Sequence, residues 1–529
     1  MATIEEIIKA KLGYNEIEGQ SDYLQSWLEW YKGYVPSFHN YKVVNGTKMP
    51  SQRERKRLPS AKMVCDEWAN LLINEKTDIQ LGENDKKLLE KIFHRSNFWY
   101  KANKLVSKAF GLGIGAFVVS IRGFQVDDDG NIRLETESDR TAQVKVECVN
   151  ATKVYPITIE DDEIVECAFA TKNTQNTFVT MHYRDVDGTY IIRTLTFKKE
   201  DFTEPINDVS FKTKSTSPWF ACVNPNVVNN LDINSALGIS IYANAIDQLK
   251  SIDIKYDLFD NEFVHGKKRT YVSADMQMYD EEGNIIKTFD GVEEDVFVIP
   301  PGRDGKTLIQ NDTSELRTAS IVASLNAELS MLGYSCGFGK GYFIFDASAN
   351  GNRPLQTATA VISQNSELFR NIHKHEIVIE SALRKVVEAI IYASNTFTNE
   401  RFSENAIDEF QVLFDDSIFE DKESEKESAR KDVASGVMSM LEYRMTFFGE
   451  DEATAKKNLQ NNPTYIAQQM NAYLLALQQN AISPQVFVDA VFGENYPNKN
   501  ELLAYIEEKK SSTDISAEDL MQHGFGSEA

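Results

Sequence analysis

Apolar side chains recur at steps of three, four and seven from Leu368 through Ile372, Ile379, Leu383 and Val386 to Ile390, with Val361 extending the stripe upstream. That spacing places them on one face of an α-helix. The stretch from Gln356 to Asn395 holds no glycine or proline, so it predicts a single helix about 60 Å long. A pattern sustained well beyond ~25 residues points to coiled coils, repeats or large assemblies.

Two shorter helical patterns precede it. In the first, Ser235 to about Glu262, the stripe is Ala245, Leu249, Ile252, Tyr256 and Phe259; Asp232 and Asn234 offer capping oxygens, and Asp247, Asp253, Asp257 and Asp260 lie on the other faces. Val322, Leu325, Leu329 and Leu332 form the stripe of the second, which Asp312 and Glu315 open as a capping box and Gly333 stops. Between the two, His265 to Gly305 changes to short β-like runs at Thr270–Val272, Ile285–Phe289 and Val296–Ile299. Lys267, Lys268 and Arg269 mark one edge of this insert, and Pro300, Pro301, Gly302, Arg303 and Gly305 the other. From Gly333 to Pro354, Gly337, Gly339, Gly341 and Gly351 predict a mobile loop, with Lys340 and Arg353 as cations and Phe338, Tyr342 and Phe343 as rings.

The amino-terminal part opens with the aromatic cluster Tyr23, Trp27, Trp30, Tyr31 and Tyr34, and the basic run Arg53, Arg55, Lys56 and Arg57 reads as a solvated flank. Helices follow from Pro59, with Ala61, Val64, Trp68, Leu71 and Leu72 as an apolar face, then from Glu83 to Phe93 and from Phe98 to Phe110. After Gly111, Gly113 and Gly115 the period changes to two. Ala116–Ile121, Ile132–Thr136, Val144–Val149, Ile164–Thr171, Phe178–Tyr183 and Tyr190–Phe197 predict strands, with turns at Asp127–Asn131 and Asp185–Gly188. Glu409–Phe414 reads as one more strand. Ser483 before Pro484 starts a helix over Val486–Phe492, and Leu502 to Ile506 belongs to another.

The formal charge of −24 argues against wrapping nucleic acid on a basic surface. An acidic balance keeps a protein soluble, and it would also suit a wall past which DNA slides without sticking. Five scattered cysteines without a C-x-x-C pattern read as reduced thiols. The amino terminus lacks a basic start followed by an apolar run, and no window approaches ~18 apolar residues, so a soluble intracellular product with no membrane partner is expected.

Several catalytic and ligand motifs fail on spacing. The glycines at 111, 113 and 115 leave a helix and enter a strand, the reverse of a dinucleotide loop. Lys340 is followed by Gly341, not the Ser or Thr of a phosphate loop, and the aspartate turns lack a calcium ladder. His373 and His375 stand two apart on a helix, so they point to different faces. No cofactor, metal or catalytic residue is expected.

Lys62–Ile79 (KMVCDEWANLLINEKTDI), Gly111–Val118 (GLGIGAFV), Gly238–Val272 (ending EFVHGKKRTYV), Thr357–Arg370 (TATAVISQNSELFR) and Val412–Asp421 (VLFDDSIFED) together resemble the portal proteins of long-tailed bacteriophages of Gram-positive bacteria. The resemblance implies an α+β chain: a mixed wing domain with β-sheet over 1–234, stem helices over 235–262 and 312–332 flanking a small β-rich clip at 263–311, a tunnel loop at 333–355, a long spine helix at 356–395, a return to the wing at 396–417 and a helical crown at 418–529. It implies a non-enzymatic subunit of a ring, typically of twelve, at the special vertex of the virion capsid, assembled in the host cytoplasm. Its partners would be copies of itself, double-stranded DNA in the channel, the terminase large subunit, a head-tail connector protein, and scaffolding and major capsid proteins. Gly337, Phe338, Gly339, Lys340, Gly341 and Arg353 would face DNA, and Lys267, Lys268, Arg269 and Arg303 the terminase. Deleting Gly337–Gly341 would then spare the ring and block filling. The competing classes are another head-tail adaptor or minor capsid protein, which would lack the stem and clip succession, and a DNA-processing enzyme, which would need clustered carboxylates or a phosphate loop.

Overall fold

The computed structural model describes residues 3–44, 50–123, 125–126, 130, 132–133, 142–199, 201–233, 235–266, 268–273, 278–286, 296–299, 309–312, 315–345, 366–414, 426, 429–433, 435, 437–450, 452–459, 473–474, 477, 482–492, 498–509 and 520. The chain divides into two compact units, 1–415 and 416–529.

Helix α1 (Ile4–Leu12) begins with a capping box: the Thr3 hydroxyl accepts from the Glu6 amide while the Glu6 carboxylate accepts from the Thr3 amide. Gly13, in the left-handed region, ends it. Next come α2 (Leu24–Tyr31), α3 (Pro36–His39) and a hairpin of β1 (Asn40–Val44) with β2 (Pro50–Glu54). Helix α4 (Ser60–Leu72) buries all five residues of its predicted stripe, Ala61, Val64, Trp68, Leu71 and Leu72. Strand β3 (Asp78–Gln80) leads to α5 (Glu83–Ser96) and α6 (Phe98–Leu112), which turn about Asn97 at φ +50° and stack Phe93 on Phe98 with ring centroids 4.0 Å apart.

Gly113 caps α6 in the left-handed region and β4 (Gly115–Arg122) follows, the helix-to-sheet transition that the glycine spacing predicts. Beyond the short pair β5 (Gln125–Val126) and β6 (Ile132–Arg133) lie β7 (Gln143–Asn150), β8 (Val154–Glu160), β9 (Glu163–Lys172), β10 (Asn176–Arg184), β11 (Tyr190–Lys198), β12 (Asn207–Lys212) and β13 (Phe220–Val223). The run from β8 to β12 forms an antiparallel five-stranded meander, and β13, β4 and β7 form a three-stranded sheet in that order. Val179, Met181, Leu195 and Phe197 line one face of the meander and pack under Ile7 and Ile8 of α1. In the predicted strand Ile132–Thr136 only Ile132 and Arg133 fall within the described residues, and of the turn Asp127–Asn131 only Gly130 does.

Helix α7 runs from Ile246 to His265, eleven residues later than the sequence pattern predicts. The intervening chain is held otherwise. The Ile241 amide donates to the Phe110 carbonyl at the end of α6 (2.8 Å), the Tyr242 hydroxyl donates to the Trp27 carbonyl (2.8 Å), and Gly238 lies against Gly113 too closely to continue a helix. Asp232 is no helix cap, because its amide and that of Leu231 donate to the Asn229 side chain in a local turn. Asn234 lies outside the described residues.

The insert holds β14 (Arg269–Ser273), β15 (Met278–Tyr279), β16 (Ile285–Ile286), β17 (Val296–Ile299) and β18 (Ile309–Asp312). β14 is central, parallel to β17 and antiparallel to β18. Asp312 therefore ends a strand opposite Arg269 and does not open a capping box; α8 starts six residues on, at Thr318, and runs to Ser335. Gly333 lies within that helix and does not stop it. Helix α9 (Ser366–Phe397) buries Leu368, Ile372, Ile379, Leu383, Val386 and Ile390, the whole predicted stripe in its described part; Val361 and the first ten residues predicted for this helix lie outside the described residues. A 3-10 turn at Ala406–Glu409 takes the start of the next predicted strand, leaving β19 (Gln411–Leu413), which pairs antiparallel with β3.

In the second unit, α10 (Met440–Phe448) is capped by Ser439, whose hydroxyl accepts from the Glu442 amide, and α11 (Glu452–Leu459) follows. Helix α12 (Pro484–Phe492) starts after Ser483, whose hydroxyl accepts from the Val486 amide, and packs with α13 (Lys499–Lys509) around Phe487, Val488, Val491, Phe492, Leu502 and Ile506.

Candidate functional site

Helices α7 and α8 lie against each other and are clasped at their insert ends. Glu262 near the end of α7 accepts from the Arg317 amide (3.0 Å), its Nε (3.1 Å) and its Nη2 (2.8 Å). One stretch further along, Glu328 accepts from Ser251 (2.9 Å) and Lys255 (2.7 Å). Leu249, Ile252, Ile321, Leu325 and Leu329 are buried, whereas Ile254, Leu258, Phe263 and Val264 of α7 and Met331 and Tyr334 of α8 stay exposed. The helix pair thus leaves several large apolar side chains exposed.

The Arg317 hydrogen bonds hold the Glu262 carboxyl down to about 2, against 4.5 for an unperturbed glutamate. A carboxyl depressed in the folded chain stabilises it fully above the unfolded value, and that contribution is lost as pH falls toward the folded one. Acid should therefore open the clasp between about pH 4.5 and 2. Glu262→Gln should lower the melting temperature at neutral pH and flatten the acid limb of a melting-temperature profile. An unchanged limb would place the acid response elsewhere, and the buried His375 is the alternative. Burial pushes its imidazole down to about 3 from 6.5, so its contribution is lost as pH falls from about 6.5 toward 3, a window that opens above that of Glu262 and overlaps it.

The basic run is largely solvated, as expected, with Arg53, Lys56 and Arg57 exposed and Arg55 half-buried, but its backbone is tied to α7. The Lys56 amide donates to Asp257 (2.9 Å), its ammonium stands 3.7 Å from Asp260, and the Leu58 amide donates to Asp253 (2.8 Å). Asp253 also meets the buried His39 at 3.0 Å, and burial pushes its carboxyl above the usual range. Arg55 lies 4.3 Å over the Phe38 ring and Arg57 pairs with Glu54 at 2.6 Å. The backbone of the run and the Lys56 ammonium thus meet the aspartate face of α7, within the same chain.

After α8 the backbone folds straight back. Gly337, Gly339 and Gly341 take φ of +87°, +85° and +78°, conformations that only glycine adopts without strain. They allow a tight turn whose parts are all anchored. The Phe338 amide donates to the Gly333 carbonyl (2.8 Å), Asn371 of α9 donates to the Gly337 carbonyl (2.9 Å), Trp68 of α4 donates to the Cys336 carbonyl (3.0 Å), and the Gly341 amide donates to the Ser330 hydroxyl (3.0 Å). Gly333 packs closely under the turn: a Cβ there would stand 3.2 Å from the Gly339 carbonyl oxygen, a tight contact.

The expectation of a mobile loop is thus overturned for residues 333–345. Phe338 is 1 % exposed, with its ring centroid 4.6 Å from Trp68 and 4.9 Å from both Tyr342 and Phe343. Tyr342 donates its hydroxyl to Glu67, and burial, then that carboxylate, pushes the phenol up. Phe338 is a core residue that fixes the turn, and its ring faces protein. Lys340 stays exposed at the tip, its ammonium 5.6 Å from the Tyr334 ring centroid. Arg353 lies outside the described residues. Deleting Gly337–Gly341 would extract Phe338 from the core, so it cannot separate ring formation from a function of the turn.

Of the other predicted contact residues, Lys268 is exposed before β14 and Arg269 opens that strand, 6.0 Å from the Phe297 ring centroid; Lys267 and Arg303 lie outside the described residues. The two histidines of α9 diverge as expected: His373 meets Glu376 at 2.7 Å, while His375 is buried between Trp68 and Phe110 and accepts from the Asn226 amide (3.0 Å). Trp68, Asn371, Ser330 and Glu67 are the anchors that spacing along the chain does not reveal. Cys65, Cys148, Cys167, Cys222 and Cys336 are all free thiols. Among the described residues no helix is long and apolar enough to cross a membrane.

Comparison with known proteins gives one family. The model described as "Phage portal protein, SPP1 Gp6-like" matches residues 14–471. Among solved structures, a chain of the "Virion of native gene transfer agent (GTA) particle" is 9 % identical, covering 84 % of this chain and 99 % of that one with a TM-score of 0.38. A chain of the "Neck of native GTA particle computed with C12 symmetry" is 8 % identical, covering 83 % and 97 % with a TM-score of 0.40. No curated protein matches.

Proposed function

Because the chain belongs to the SPP1 Gp6-like phage portal protein family, which its sequence matches over residues 14–471, we propose that its copies close into a ring, typically of twelve, through which double-stranded DNA enters and leaves a phage head. The family match carries the reading, since it spans the whole succession of helix, insert, helix, glycine turn and long helix. A ring needs a heterologous contact that closes on itself, and the outward apolar residues of α7 and α8 supply surface for one. In this reading residues 1–234 with the β19 return form the wing, α7 and α8 the stem, the insert the clip, the turn after α8 the tunnel segment, α9 the spine and the second unit the crown. The ring acts as structure and not as an enzyme. It sits at one vertex of the capsid, after assembly in the host cytoplasm with scaffolding and major capsid proteins. Lys268 and Arg269, with Lys267 and Arg303, face the terminase large subunit and later a head-tail connector protein.

Negative-stain microscopy of the purified protein tests this: rings with a central channel are expected, and a monomer with nuclease or ATPase activity would overturn it. Rings without a channel would favour an adaptor.

The DNA-facing group of the turn is Lys340, with Gly337, Gly339 and Gly341 shaping the backbone beneath it and Arg353 following in the chain. Lys340→Glu should leave the melting temperature within about a degree, as exposed substitutions do, and leave rings intact. Filled heads should fall at least tenfold in a packaging assay. Normal filling would remove Lys340 from the channel, and lost rings would make it an assembly residue.

A further inference from the structure

The five-stranded meander has two different faces. One is filled by α1, as described. The other looks across a cavity of about 880 Å³ at the sheet of β13, β4 and β7. Period two along each strand assigns the walls: Val118 and Ser120 come from β4, Phe178, Thr180 and His182 from β10, and Ile192 and Thr194 from β11. The size falls within the ~300–1,000 Å³ range of small-molecule sites.

Three residues lining this cavity carry buried polar atoms without a hydrogen-bond partner: Ser120 Oγ, His182 Nδ1 and Trp219 Nε1. His182 and Trp219 are each 1 % exposed. Those three atoms are closed off from the cavity space, so its polar contacts come from other lining groups. Phe169 and Phe211 add aromatic wall, and the hydroxyls of Thr180 and Thr194, 3.2 Å apart, add half-buried polar floor. The charged side chains at the cavity are Arg122, Glu147 and the exposed Lys172. Arg122 and Glu147 pair with each other at 2.6 Å on its edge, and burial keeps the His182 imidazole neutral, its pKa down at about 3.

We propose that the cavity between the two sheets is a binding site for an uncharged amphipathic small molecule: an aromatic or short alkyl body carrying one or two carbonyl, hydroxyl or amide groups. The body takes the place between the phenylalanines. The threonine hydroxyls donate or accept, so the ligand's polar group serves in either role. A charged ligand would leave water for walls built from apolar and neutral polar side chains of β4, β10 and β11.

Nile red, an uncharged aromatic dye with a carbonyl acceptor, tests the site on the full-length chain. Titration should give saturable, blue-shifted fluorescence at one dye per chain, and the dye should raise the melting temperature, because a ligand of the folded state stabilises it. Thr194→Trp puts an indole where the ligand's body would lie and should weaken binding at least tenfold. Should that variant fail to fold, Thr180→Val with Thr194→Val, which keeps shape and removes the hydroxyls, should still weaken it three- to tenfold. Ile377→Ser, in the separate groove beside α9, should leave binding unchanged. Absence of saturable binding, binding untouched by both the tryptophan and the valine variants, or binding lost with Ile377→Ser would each overturn the proposal. Rings that assemble yet bind no dye would sink this site and leave the portal reading standing.

Discussion

Trp68→Ala should cost about 4 kcal/mol, within the ~3–5 kcal/mol range for removing a buried tryptophan, and should free the turn after α8. The indole is fully buried and meets three elements: Phe338 at 4.6 Å, His375 of α9 at 4.7 Å and Phe110 of α6 at 6.1 Å. Its Nε1 also holds the Cys336 carbonyl, which would be left buried without that donor. Trp68→Phe keeps most of the ring contact and loses only the hydrogen bond, so about 1–2 kcal/mol is expected. Denaturant unfolding gives the two costs. Limited proteolysis reads the turn, with new cleavage at 333–345 expected in the alanine variant alone. If the alanine variant loses under 1 kcal/mol and stays uncut, the turn does not depend on its aromatic anchor.

That dependence also explains what the sequence reveals of the site. The glycines at 337, 339 and 341 advertise unusual backbone angles, and all three are in the left-handed region. Whether such a segment moves or is pinned depends on Trp68 and Asn371, far away in the chain. Local composition carries no trace of either. Lys340 remains exposed while its neighbour Phe338 is buried, a division that a list of loop residues cannot make.

The legible parts of the fold are those governed by local period. Alternation places β4, β7, β9, β10 and β11 to within three residues at either end, and the apolar stripe of α9 is buried throughout its described length. The errors fall where distant contacts override local preference. Residues 235–245 read as helix because Asp232 and Asn234 offer capping oxygens just ahead of them, yet the Gly113–Gly238 contact and the Ile241–Phe110 hydrogen bond hold them in another path. Asp312 and Glu315 fit a capping box, but pairing of β18 with β14 takes Asp312 into a strand. Strand β3 is legible only through β19, its partner more than 300 residues away.

The Gly113–Gly238 contact should be the least tolerant position in the amino-terminal unit. A Cβ on Gly238 would stand 2.3 Å from the Gly113 carbonyl oxygen and 2.7 Å from Asn224 Cβ; one on Gly113 would stand 2.5 Å from the Gly238 carbonyl oxygen. Backbone oxygens cannot rotate aside as a flexible side chain does, so a single methyl must separate α6 from the approach to α7. Gly238→Ala should cost about 3 kcal/mol or more, at the upper end for overpacking. Gly113→Ala adds the cost of a left-handed alanine, ~1–2 kcal/mol. Gly188 separates the two terms. It has the same φ of +84° as Gly113 but nothing within 4 Å of its Cβ position, so Gly188→Ala should cost only that backbone strain. Chemical denaturation of the three variants decides the matter, and equal losses at Gly113 and Gly188 would mean that the two backbones yield to each other after all.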